Sequence, residues 1–82
     1  MIDWTSQPVK VEHLITYARY RAKAGGPEGE EASRIITDLV SSQIGWVTFG
    51  YIAKGADAKT AAILKAAGAF ILDIYAELEA EP

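Results

Sequence analysis

The stretch "AGGPEG", Ala24 to Gly29, limits the fold more than any other part of the chain. Proline lacks a backbone donor and clashes inside a helix, and glycine is the commonest residue just past a helix end. A helix entering this stretch has to stop near Ala24, and a new one has to begin near Pro27. A second break, "KGAD" at Lys54 to Asp57, repeats the signal. The breaks leave three pieces, each long enough for a helix of several turns.

The first piece follows Ser6 and Pro8, a plausible N-cap and first-turn residue. Val11, Leu14, Ile15, Ala18 and Ala22 then recur at helical spacing. This predicts helix 1 over about 8–24, with Gly25 just past its end. The second piece opens with Glu28, Glu30 and Glu31, which suit a helix start, and continues with the stripe Ala32, Ile35, Ile36, Leu39 and Val40.

Beyond Ile44 the residues Val47, Thr48, Phe49, Tyr51 and Ile52 have strand propensity. No other segment shows the alternation of a pairing strand, and an isolated strand cannot satisfy its backbone. The reading is therefore a helix 2 over about 28–54. Gly45 and Gly50 lie inside it at a cost in propensity, which implies close approach by another helix. In the third piece Asp57 is a good N-cap, and alanine and leucine favour helix. Helix 3 is predicted over about 58–80, with Ile63, Ala67, Phe70, Ile71, Ile74 and Leu78 facing the core.

The expected fold is all-α: one domain over 1–82, a three-helix up-down-up bundle with helices 2 and 3 forming a tight antiparallel hairpin. That topology gathers Arg19, Arg21 and Lys23 at one pole with Glu28, Glu30, Glu31, Glu77, Glu79 and Glu81. With 82 residues the core is small, and partners or staples are common at this size. The absence of cysteine removes disulfides and thiolate metal sites, and suits a cytoplasmic protein.

A net charge of −3 argues against a nucleic-acid binder. "YARYRAK", Tyr17 to Lys23, interleaves rings and cations, but it reads as helix-end electrostatics beside local acids. "AGGPEGEE" lacks the spacing of a phosphate loop, and "KGADAKT", which could hold an anion weakly through Lys54, Lys59 and Thr60 at a helix start, reads as a solvated turn capped by Asp57. No nucleophile or paired carboxylate accompanies His13, so the chain reads as non-enzymatic, with no catalytic, cofactor-binding or metal residues. The N-terminus has no basic region leading into an apolar run, so no signal peptide is expected.

The remaining clue is apolar surface. As a helix, the segment around Ile44 to Ile52 is apolar on all sides, which implies burial on all sides. Ala62, Ala69 and Ala76 repeat every seven residues on helix 3, close to Leu72. The expected function is protein–protein interaction or assembly, by self-association or by binding a protein partner. The expected interface is Ile44, Trp46, Tyr51, Ile52, Ala62, Ala69, Leu72 and Ala76. A second candidate surface is His13, Tyr17 and Tyr20, which share one face of helix 1. Asp73 could pair with Lys65 or Arg34, or sit at an interface. The alternative is a membrane-associated helical hairpin inserted shallowly. An uncharged run of about 15 residues rises only about 22 Å, short of a hydrocarbon core of about 30 Å.

Overall fold

The structure, a computed structural model, describes residues 4–80. A 3-10 turn at Trp4–Ser6 leads into a strand β1 (Pro8–Lys10) and a helix α1 (Val11–Ala24). Helix α2 (Gly26–Val40) follows, then strand β2 (Trp46–Thr48), a short helix α3 (Phe49–Ile52) and a long helix α4 (Ala58–Ala80). The chain is mostly helical, as expected, and α4 has its predicted bounds. Helices 1 and 2 do not. Pro8–Lys10 is extended rather than helical, and helix 2 stops at Val40 instead of Lys54.

Strand β2 has a partner after all. It pairs antiparallel with β1, in the register Pro8 to Thr48, Val9 to Val47 and Lys10 to Trp46. Pro8 opens its strand, where a missing donor is tolerated. Val9 and Val47 form the inward cross-strand pair, while Trp46 stays on the outer side. The Val11 amide donates to the Gly45 carbonyl at 2.9 Å, extending the contact by one bond. A two-stranded ribbon this short is marginal alone and depends on what packs beneath it. Here that is a core containing Phe49, Leu14, Ile36, Leu64 and Val40.

The two glycines of the presumed helix have other tasks. Gly45 has φ +78° with open space around it, so it turns the chain into β2. Gly50 packs against the Thr5 carbonyl of its own chain: a Cβ added there would lie 3.1 Å from that oxygen.

The tightest helix pair is α1 with α2, not α2 with α4. Gly25 alone separates α1 from α2, and its amide donates to the Arg21 carbonyl at 2.9 Å. One turn into α2, a Cβ on Gly29 would sit 2.0 Å from the Arg21 carbonyl oxygen. Only glycine permits that approach.

Ring contacts give the direction of α4. His13 at the start of α1 meets Tyr75, and Tyr20 near its end meets Phe70. Helix α4 therefore runs antiparallel to α1 and starts near the start of α2, where Lys59 pairs with Glu31. The three-helix up-down-up bundle and its hairpin of helices 2 and 3 are therefore not what forms: Glu77 and Glu79 move to the other pole, Glu28, Glu30 and Glu31 stay beside the end of α1, and Glu81 lies outside the described residues. The segment between α2 and α4 is a loop, a strand and a short helix, which together carry the chain back before α4 begins. The amide of Thr60 donates to Asp57 Oδ1 at 2.8 Å, so Asp57 caps α4 as its sequence position predicts.

The buried face of α4 is also rotated from expectation. Leu64, Ala67 and Ile71 are buried, while Phe70, Ile74 and Leu78 stand out in solvent. Twenty-three residues make α4 about 34 Å long, against about 21 Å for the 14 residues of α1. The longer helix overhangs, and Leu78 near its end is left 62% exposed among the described residues.

Candidate functional site

Two grooves flank Tyr75, one on each side of α4. The first is open and encloses about 760 Å³. Ala69, Leu72, Tyr75 and Ala76 form its α4 wall, Trp46 and Pro8 of the ribbon form the opposite wall, and Asp73 and Glu79 mark its rim. The ribbon places Trp46 there for a local reason: with Val47 turned into the core, strand alternation sends Trp46 outward. Its ring meets Tyr75 with centroids 6.2 Å apart.

The second groove holds about 300 Å³ between α1 and α4. His13, Thr16, Tyr17 and Tyr20 line one side, and Phe70, Ile71 and Ile74 the other. Phe70 lies between two tyrosines, 5.4 Å from the Tyr17 ring and stacked on Tyr20 at 5.8 Å. Such pairs contribute about 0.5–1.5 kcal/mol each beyond area burial.

Tyr75 joins the grooves. The Lys10 amide donates to its hydroxyl oxygen at 3.2 Å, and the hydroxyl also bonds to Nδ1 of His13. His13 is thus a structural strut between helices. Its bonded neighbour is the phenol of Tyr75.

The structure sorts the predicted interface residues. Trp46, Ala69, Leu72 and Ala76 come together around the first groove. Ala62 lies further up the same face of α4 and is exposed. Ile44 and Tyr51 are 92% and 64% exposed but line neither groove. Ile52 belongs to the core, 7% exposed, because α3 turns it inward beside Phe49. The second candidate set, His13, Tyr17 and Tyr20, does gather on one groove, although Tyr17 is buried as part of its wall. Asp73 pairs with neither Lys65 nor Arg34 and lies on the rim of the first groove.

Sequence reasoning missed Tyr75, Phe70, Ile74 and Leu78 as surface residues. The signal was present: Leu64, Ala67, Gly68 and Ile71 recur at helical spacing and define the face that is buried, with Tyr75 half-buried at its edge. The larger residues beside it drew the predicted face away.

Two carboxylates titrate below their ordinary range, and both lie away from the grooves. The hydrogen bond and charge of Lys59 lower Glu31, and the hydrogen bond from the Thr60 amide lowers Asp57. Among the described residues, no three metal-ligating side chains cluster. Also among them, no helix is long and apolar enough to cross a membrane. No protein family, curated protein or solved structure matches the chain.

Proposed function

We propose that this chain is a small non-enzymatic interaction or assembly protein that docks through the groove between Trp46 and α4. One observation carries the reading. Trp46 comes from the ribbon and Ala69, Leu72 and Ala76 from α4, yet they meet around one open groove outside the hydrophobic core. Exposed apolar surface of this kind is typical of contact sites, and tryptophan is among the residues that contribute most to binding. An aspartate at Leu72 puts a charge in the groove without touching the core. Tagged wild-type chain should retain bound protein from extracts of its source, and Leu72→Asp should lose it with unchanged circular dichroism. An identical set of retained proteins would remove the groove from the interface.

A shallow membrane contact has one observation in its favour. Ile44 projects from the loop before β2, with Trp46 and Tyr51 also exposed nearby in sequence. Aromatic residues of this kind favour the headgroup level of bilayers. Residues 41–52 form a loop, a strand and a short helix, so the contact is proposed through this segment. Liposome flotation tests it: wild-type chain should co-float and Ile44→Asp should not, and absence of wild-type flotation ends the reading.

A further inference from the structure

We propose that the occupant of the first groove is α4 of a second copy of this chain, lying antiparallel to the first. The inference rests on the interaction reading above and deepens it by naming the partner. It starts from charge. Lys59 and Lys65 lie in the first half of α4, and Asp73, Glu77 and Glu79 in the second. Lys59 is already engaged by Glu31. Among the described residues Lys65, Asp73, Glu77 and Glu79 make no ion pair, and all are exposed.

Acids in a last helical turn also face the negative end of the helix dipole. A parallel copy would set acid against acid. An antiparallel copy brings Lys65 and the positive end of one helix to the acidic end of the other, and does so twice.

The shape of the face fits the same partner. Positions 62, 65, 69, 72, 76 and 79 fall at alternating three- and four-residue spacing, the seam of two helices packed along their length. Placing the two-fold axis between residues 70 and 71 sets Leu72 of each copy opposite Ala69 of the other. Lys65 then lies opposite Ala76, one layer from Glu79. Small residues opposite large ones let the helices approach to about 8–10 Å. Trp46 and Pro8 form the outer wall that closes over the incoming helix.

The test uses the full chain and light scattering after size exclusion. Wild type should be a dimer in the micromolar range. Lys65→Glu and Glu79→Lys, both exposed changes, should each raise the dissociation constant by about tenfold or more, because like charges meet twice. Mixing the two variants should restore a heterodimer close to wild-type affinity, since each reversed charge then meets its opposite.

A wild-type monomer throughout the micromolar range would overturn the proposal. So would charge variants that dimerise normally, or a mixture no tighter than its components. A wild-type monomer whose Leu72→Asp variant still loses the retained proteins would leave the interaction reading standing with a different partner. A monomer whose retained proteins ignore that substitution would end both.

Discussion

Gly29 shows how much one missing side chain can decide. Its neighbour across the helix pair is the Arg21 carbonyl, 2.0 Å from where a Cβ would be. The contact is with backbone, so no side chain can move aside. Gly29→Ala should cost about 1–3 kcal/mol, the range of overpacking strain, and lower the melting temperature by at least about 4 °C in a chain of this length. An unchanged thermal melt would show that the helices separate freely. In the sequence, Gly29 reads only as part of a glycine-rich break, because the carbonyl it accommodates is brought there by the packing of α1 against α2. Asp57 is the opposite case. Its partner is three residues away, the cap is a local event, and the sequence shows it directly. Phe49 is again non-local. It reads as one more strand-prone residue, yet it is fully buried, and Phe49→Ala should cost about 3–5 kcal/mol in denaturant titration, enough to threaten the fold.

The elements divide along the same line. Helix α4 is legible because its periodicity runs for six turns and its cap lies at its own end. The break between α1 and α2 is legible because glycine and proline act locally. The ribbon is not. Pro8 suits a first helical turn as well as a strand start, and three residues are too few to display alternation. What selects the strand is Val47, 38 positions later, pairing with Val9. The candidate site inherits this division: its α4 residues are legible as a face, while the nearness of Trp46 to that face follows from the ribbon. The turn into β2 can be tested separately. Gly45 has positive φ and open space, so a substitution there meets only backbone strain. Gly45→Val should destabilise by about 1–3 kcal/mol, and Gly45→Asn, which tolerates that conformation, by clearly less. Equal thermal melts for the two variants would mean that the turn does not hold the ribbon.

At the scale of the whole molecule, the start of α4 is held by two carboxylates. Both have folded-state pKa values below those of the unfolded chain, since Lys59 favours ionised Glu31 and the Thr60 amide favours ionised Asp57. Their stabilisation is complete above the ordinary carboxylate range and is lost as pH falls through the lowered values. Denaturant titrations should show this contribution constant from neutral pH to about pH 5 and declining below it. Lys59→Met should reduce the decline; an unchanged acid dependence would show that Glu31 gains nothing from the pair. The other long-range tie has a consequence in time. The bond from Lys10 to Tyr75 closes a span of 65 residues, and β1 waits for β2 before it can pair. Contacts this distant in sequence slow folding well below the rate of a helical bundle of equal size. During synthesis α1 and α2 can pair as soon as they emerge, but Trp46 stays without its ring neighbour until Tyr75 has left the ribosome. For that interval the nascent chain exposes its stickiest surface with one wall missing.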